Sequence, residues 1–338
     1  MPDFPIAPGR RYALVTPCRN EADYMRRTLD SVAAQTVRPA LWVIVDDGST
    51  DATPRILAEY AARHDWIRVV AKPDRGHRAV GPGVIEAFYA GFDHVDTDAV
   101  DYICKLDLDL DLPAGYFAGL MDRMAADPRI GTASGKPWFR PGGAAQGGSA
   151  PRDAADAIVT SGMISEKCGD EMSVGMTKFY RTDCFAEIGG FVREVMWDAI
   201  DCHKARQLGW IACSWDAPDL AFEHLRPMGS SQSGVLTGRA RHGFGQYYMR
   251  SDFAFFTASC LFRMAHPPYV LGGLASWWGY VKAWMLRRPQ MEDDALAAFI
   301  RAYQRRALAV GKARATSEIV AARAPVWQAR PARTGAGA

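Results

Sequence analysis

Three aspartates alternate with leucines in the stretch KLDLDLDLP, Lys105 to Pro113. In an extended strand alternate side chains share a face, so Asp107, Asp109 and Asp111 would stand together with the leucines opposite. Like charges on one face need water or a cation between them. The pattern therefore reads two ways: a half-buried strand with a wet acidic face, or an oxygen-rich site for a divalent cation such as Mg2+ or Mn2+. Two other polar segments carry comparable chemistry, TPCRNE at 16–21 and DDGSTD at 46–51.

The elements that must position these groups follow from periodicity. Short β-type runs (YALVT at 12–16, LWVIVD at 41–46, IRVVA at 67–71 and DYICKLD at 101–107) alternate with helical patterns. Those helices are expected over Glu21 to Gln35, from GSTD to about His64, from Val84 to His94 and from Pro113 to Ala126. Repeated βα units imply a parallel sheet covered by helices on both faces, and such sheets bind ligands beyond the carboxyl ends of their strands. TPCRNE, DDGSTD and DLDLDLP all fall at strand ends. Taken singly, Asn20, Ser49 and Asp51 are natural helix caps. Coincidence at three strand ends points instead to one crevice. Residues 137–161, rich in Gly, Ala and Pro, read either as a loop that closes over a ligand or as a surface insertion.

In their order along the chain these motifs resemble the family 2 glycosyltransferases, inverting enzymes of the GT-A fold. The resemblance rests on VTPCRNEADYMRRTLDSVAAQTVRPALWVIVDDGSTDAT, then LDLDLDLP, YRTDCFAEIGGF and WDAIDCHKARQLGW, and it covers about residues 10–226, ending near His224. It implies an α/β, Rossmann-like nucleotide-diphospho-sugar transferase fold, a mostly parallel central sheet flanked by helices.

The resemblance also implies roles. Asp107 would sit near the ribose and the metal shell, and Asp109 would bind Mg2+ or Mn2+ directly. Asp47 would accept the N3 hydrogen of a uracil, with Asp46 shaping the turn. Thr16 and Glu21 match nucleotide-facing positions, and Pro17 would fix the turn beside them. Arg75 and Arg78, in PDRGHRAVGPG, fall where the family often contacts phosphate. The family's asparagine is missing there, and solvated arginines are the competing reading. Asp198, eleven residues before Gly209 and Trp210, matches the base that deprotonates the acceptor hydroxyl. Trp197 stands where the family commonly has an acid, and its ring could stack on a sugar. Helix capping by Asp198 or Asp201 is the alternative. His224 in AFEHLRP falls where many such enzymes place a metal- or phosphate-binding histidine, against the commoner structural role of a lone histidine. Asp111, next to Leu112 and Pro113, is expected to favour the amino-terminal end of the following helix.

Composition sets the boundaries around this site. The net charge of +2 gives no global reason for a nucleic-acid partner. The seven cysteines are scattered without a CxxC pair, and MPDFPIAPGRRY lacks the apolar core of a signal peptide, so a reduced, cytoplasmic chain is expected. Beyond His224 the character changes: thirteen Lys or Arg stand against four acids between Arg226 and Arg314. Residues 264–281 contain no Lys, Arg, Asp or Glu, but Pro267-Pro268 and Gly272-Gly273 interrupt them, so a spanning helix is not expected. With the tryptophans and cations that follow, residues 264–288 read as a monotopic attachment at the inner face of the cell membrane, or as a surface packed internally or on a second subunit. Residues 292–310 read as a final amphipathic helix.

The expected organisation is a lead-in at 1–9, a catalytic domain at 10–226, a basic, aromatic helical extension at 227–322 and a disordered tail at 323–338. The expected activity is metal-dependent, inverting transfer of a sugar from a nucleotide-diphosphate donor, a UDP-sugar, to a saccharide or lipid-linked acceptor in cell-surface polysaccharide or glycolipid synthesis. A nucleotidyltransferase is disfavoured because TPCRNE contains no glycine. The alternative from another class is a non-catalytic nucleotide-sugar-binding or assembly protein at the membrane. The sequence specifies neither the sugar nor the oligomeric state.

Overall fold

The computed structural model describes residues 9–76, 81–140, 159–160, 163–166, 168–226, 234–266 and 268–330. The chain begins with β1 (Tyr12–Cys18), α1 (Met25–Ala33), β2 (Leu41–Asp46), α2 (Thr53–Arg63), β3 (Ile67–Ala71), α3 (Pro82–Phe92), β4 (Tyr102–Leu106), β5 (Leu110–Asp111) and α4 (Tyr116–Ala126). It continues with β6 (Ile130–Ser134), β7 (Pro137–Phe139), β8 (Val159–Thr160), β9 (Met163–Ser165), β10 (Thr177–Arg181), α5 (Thr182–Glu187), α6 (Trp197–Gln207), β11 (Ile211–Ser214) and β12 (Phe222–His224). Six helices close it: α7 (Val235–Tyr248), α8 (Phe253–Met264), α9 (Leu271–Met285), α10 (Asp294–Val310), α11 (Lys312–Ala322) and α12 (Ala324–Gln328).

Seven strands form the main sheet in the order β11-β6-β10-β4-β1-β2-β3. Its pairings are parallel except for β10, which runs antiparallel to both β4 and β6. Strand β1 shows why both faces need a cover. Leu14 packs into a core with Met25, Leu29 and Phe117 from α1 and α4, while Ala13 and Val15 pack with Ile85 and Phe88 from α3. Alternation along one buried strand thus feeds two apolar layers, as expected of a sheet between helices. A second sheet, β5-β12-β7-β9-β8, is built from strands of two or three residues. Too short to show a period in sequence, these strands join distant segments at the lip of the crevice.

The helical extension is anchored to α6. Ala199 and Ile200 share a core cluster with Met249, Met291, Leu296, Phe299 and Ile300. The final amphipathic pattern forms α10, whose start is capped by Asp293 accepting from Leu296 N at 2.9 Å. Gly272 and Gly273, expected to interrupt a helix, lie in the first turn of α9 instead. There a side chain on Gly273 would come within 2.5 Å of the Cys260 carbonyl oxygen, so the glycine allows α8 and α9 to approach. No helix among the described residues is long and apolar enough to cross a membrane. Residues 324–328, expected in a disordered tail, form α12, and Trp327 packs edge-on against Trp210 with ring centroids 6.3 Å apart. Of 137–161, expected to form a ligand-closing loop or a surface insertion, Pro137–Phe139 and Val159–Thr160 form β7 and β8, and 141–158 and 161 lie outside the described residues.

Candidate active site

Strands β1 and β2 end level, with Cys18 beside Asp46 and the Asp47 N–H donating to the Cys18 carbonyl at 2.8 Å. Asp46 shapes the following turn by accepting from Ser49 N at 2.9 Å. Gly48 makes that turn possible: its φ is +75°, and a Cβ there would lie 2.4 Å from Asp74 Cα. Asp47 itself is buried, and its carboxylate meets Arg75 and, at 3.5 Å, Lys72. Arg75 therefore faces the aspartate expected to read a base, and it also lies 3.7 Å from Glu86. Arg78 lies outside the described residues.

Two residues of the first signature point elsewhere than expected. Thr16 is fully buried, and its hydroxyl accepts from the Trp42 indole N–H at 2.8 Å. A buried indole needs an acceptor, and Thr16 supplies it, so its side chain serves the core rather than a nucleotide. Pro17 lies within β1, paired beside Val45, rather than in a turn. Glu21 does reach the crevice, its carboxylate accepting from Arg226 at 2.9 Å.

Beyond β4 the three aspartates separate. Lys105, nearly fully buried, donates to Asp107 at 2.5 Å and to the Gly175 carbonyl at 3.0 Å. Asp109 is buried and accepts from Arg226 Nε at 2.5 Å, with His224 Nε2 at 3.4 Å. Burial works against its ionised form, but His224 and Arg226 outweigh it and hold the carboxyl well below the usual range. The other His224 nitrogen, Nδ1, lies 2.6 Å from Glu166. Burial alone would lower the His224 pKa, and the hydrogen bonds to Asp109 and Glu166 instead raise it to about 10. Asp111 points away from this group. It sits in β5 opposite Glu223 and pairs with Arg27 at 2.5 Å, while α4 begins only at Tyr116. It is a structural acid, but one that ties a strand to α1 rather than one that supports the start of α4.

Asp198 occupies the first turn of α6, after Met196 in a left-handed conformation with φ +64°. Its carboxylate rests on Gly175, where a Cβ would lie 2.8 Å from Asp198 Oδ2. Burial, countered by Lys178 and reinforced by the charge of Asp201, raises the Asp198 pKa. Asp201 is a different kind of acid, fully enclosed with Lys178 and the Tyr180 hydroxyl. Trp197, expected to meet a sugar, is buried against Phe191 with Lys105 and Lys178 over its ring at 5.2 and 5.8 Å. Its surface is already covered by cations.

Whether these residues suit a divalent cation is decided by their donor atoms. Among the described residues no three His, Cys, Asp or Glu side chains are grouped as a complete cage. Asp109 Oδ1, however, is buried without a hydrogen-bond partner among the described residues, and Asp107 is 34% exposed beside it. Two carboxylates with an unsatisfied oxygen fit a Mg2+-type ion, which takes few protein ligands and completes its shell with water and phosphate. His224 stands beside this pair, its Nε2 facing Asp109 and its Nδ1 facing Glu166. Sequence reasoning missed Lys105, Glu166 and Arg226. Only Arg226 left a signal, two residues after His224 and so on the same side of an extended chain. A cavity of about 970 Å³ lies away from these acids, near the start of β4, lined by Tyr89, Phe185, Trp210 and Trp327.

With the geometry in hand, three comparisons bear on it. Residues 13–145 match the model of the family described as Glycosyl transferase family 2. The chain is 28% identical over 142 residues to a poly-beta-1,6-N-acetyl-D-glucosamine synthase of Staphylococcus aureus, covering 41% of this chain and 31% of that protein. It thus spans about a third of the length of that relative. It is 51% identical over 53 residues to an uncharacterized protein, Mb1547, of Mycobacterium bovis, covering 15% of each. Solved structures similar to it include the mannosyltransferase PcManGT of Pyrobaculum calidifontis in complex with GDP-Man and Mn2+, with a TM-score of 0.47, 17% identity and coverage of 95% of this chain and 88% of that one. Another is S. aureus TarS in complex with UDP-GlcNAc, with a TM-score of 0.46, 13% identity and coverage of 94% and 90%.

Proposed function

We propose that this chain, whose residues 13–145 match the glycosyl transferase family 2 model, transfers a sugar from a nucleotide-diphosphate donor, a UDP-sugar, to a saccharide or lipid-linked acceptor in cell-surface polysaccharide or glycolipid synthesis. The name of the staphylococcal relative, a polysaccharide synthase, supports the saccharide product. The observation that carries the reading is the meeting of base and acidic pair around Gly175. Lys105 joins Asp107 to the Gly175 carbonyl, and Asp198 rests on the other side of that glycine.

In this mechanism Asp198 takes the proton of the acceptor hydroxyl as its oxygen attacks the anomeric carbon and the bond to the diphosphate breaks. A raised pKa suits a group that must accept a proton during the reaction. Asp107 and Asp109 would hold a divalent cation, Mg2+ or Mn2+, whose charge offsets that developing on the leaving diphosphate. His224 and Arg226 keep Asp109 ionised, and Glu21 positions Arg226. Asp47 is assigned to the uracil, with Arg75 and Arg78 toward the phosphates.

A panel of nucleotide sugars assayed with Mn2+ against wild type and Asp198→Asn tests this. Turnover of one donor should fall about 10²- to 10⁴-fold in the variant, the range for losing a general base. Donor binding without turnover in either protein would instead favour a non-catalytic sugar-nucleotide-binding role.

A further inference from the structure

The helices after the crevice expose what globular proteins ordinarily hide. Of the fifteen exposed large hydrophobic side chains among the described residues, thirteen lie between Val235 and Leu286. They include Leu261 and Phe262 on α8 and Leu274, Trp278 and Trp284 on α9, each between 46% and 70% exposed. Single exposed apolar residues are ordinary, but a concentration of this kind marks an interaction surface. The packing beneath it is tight. A Cβ on Gly243 of α7 would lie 1.8 Å from the Ser276 carbonyl oxygen, and one on Gly279 of α9 would lie 2.0 Å from that of Ala240. The helices therefore meet backbone to backbone through small residues, which leaves their large side chains facing outward.

Charge on this layer has one sign. Residues 235–288 contain seven Lys or Arg and a single acid, Asp252. That acid is buried, caps α8 and pairs with Arg305. Lys282, between Trp278 and Trp284, and Arg287 and Arg288, just beyond Trp284, are exposed. Arg239 and Arg263, from α7 and α8, lie close enough to repel each other, and neither has an acidic partner among the described residues. Burial and Arg239 lower the Arg263 pKa, as expected where a cation lacks its anion. Exposed cations on the same helices as an apolar face suit phosphate headgroups above acyl chains.

We propose that α8 and α9 form a docking face for the surface of an anionic phospholipid bilayer, the apolar side chains entering the interface and the arginines meeting lipid phosphates. Tryptophan and arginine are suited to this boundary because each joins an apolar body to a polar tip. The face extends beyond residues 264–288 to include Leu261 and Phe262. Beneath this face, α7 packs against the turn that precedes Asp198. A Cβ on Gly245 of α7 would come 2.3 Å from Met196, two residues before Asp198. If the proposed transfer holds, and this last step alone rests on it, the acceptor reaches Asp198 from the bilayer and is lipid-linked.

Flotation of the full chain with vesicles of pure phosphatidylcholine, and of phosphatidylcholine mixed with phosphatidylglycerol, tests the face without any donor. Wild type should float with the mixed vesicles and much less with the neutral ones. Replacing Phe262, Trp278 and Trp284 together by serine should lower binding at least about tenfold, and Lys282→Gln with Arg288→Gln should lower it about fivefold per cation. Unchanged thermal unfolding would show that these exposed substitutions leave the fold intact. Failure to float with either vesicle would overturn the proposal. So would a stable dimer in solution that the same apolar substitutions dissociate. Vesicle binding without sugar transfer would leave this face standing and sink the enzymatic reading; transfer without vesicle binding would do the reverse.

Discussion

Lys178 and Asp201 face each other with side-chain exposures of 0% and 1%, whereas Phe262 and Trp284 stand 70% and 64% exposed. The crevice half of the molecule buries charge, and the carboxy-terminal layer exposes apolar surface. Each inverts the usual partition between water and core, and each inversion has a cost that an interaction must offset. In the crevice the offset is internal. Lys105 pairs with Asp107, Lys178 with Asp201, and His224 and Arg226 link Glu166, Asp109 and Glu21 in one chain of ion pairs. In the α7–α9 layer nothing within the described chain covers the apolar side chains. The contrast sets a region whose buried charges are paired within the chain against a surface whose apolar side chains stay in water.

The sharpest way to break the comparison is to remove one member of the buried pair. Asp201→Ala should destabilise the protein by about 3–5 kcal/mol, because Lys178 would be left charged and unpaired in the core. Replacing both, Lys178→Met with Asp201→Leu, should recover much of that loss. Denaturant unfolding checks both outcomes, and a single-variant loss below about 1 kcal/mol would place the pair's charges in reach of water.

Acid gives the next largest effect. His203 is buried on α6 near Arg206, and His242 is partly buried on α7; desolvation together with neighbouring arginines lowers both pKa values, that of His242 to about 3. Below about pH 6.5 the unfolded chain binds protons at these sites that the folded chain refuses, so stability falls as pH drops. Each site contributes a slope of about 1.4 kcal/mol per pH unit between about pH 6.5 and 5. His224 has the opposite sign: its contribution is fully present below about 6.5 and is lost only as pH rises toward 10. His203→Gln should therefore cut the acid slope by about half, and an unchanged slope would remove His203 from the account. The smallest effect is expected at Asp111, whose partner Arg27 is half exposed. Asp111→Ala should leave turnover intact and cost no more than about 1 kcal/mol in thermal unfolding.

The sequence carried the frame of the crevice but not its cations. Alternation and strand-end acids made the βα ladder and the positions of Asp47, Asp107 and Asp109 legible, because period and turn chemistry are local, whereas Asp198 was singled out only by the family resemblance. Arg226 and Glu166 were not, since they reach Asp109 and His224 through β9 and β12, strands of three residues whose pairings depend on segments far apart in the chain. Thr16 was misplaced because the demand of the Trp42 indole is visible only once β1 and β2 pair. Trp197 was misplaced for a related reason: the lysines that cover it lie on β4 and β10. The exposed face of α8 and α9 was legible only as composition, and its one-sided charge needed the burial of Asp252 to emerge.

The central claim is a division of labour, Asp109 holding the donor through a cation and Asp198 acting on the acceptor. Titration of the donor identified by the panel into wild type, Asp109→Ala and Asp198→Asn, with and without Mn2+, tests it most directly. The account predicts Mn2+-dependent binding that is lost in Asp109→Ala and retained in Asp198→Asn, the latter without turnover. Equal donor affinity in Asp109→Ala and wild type, or loss of donor binding in Asp198→Asn with its fold intact, would contradict it.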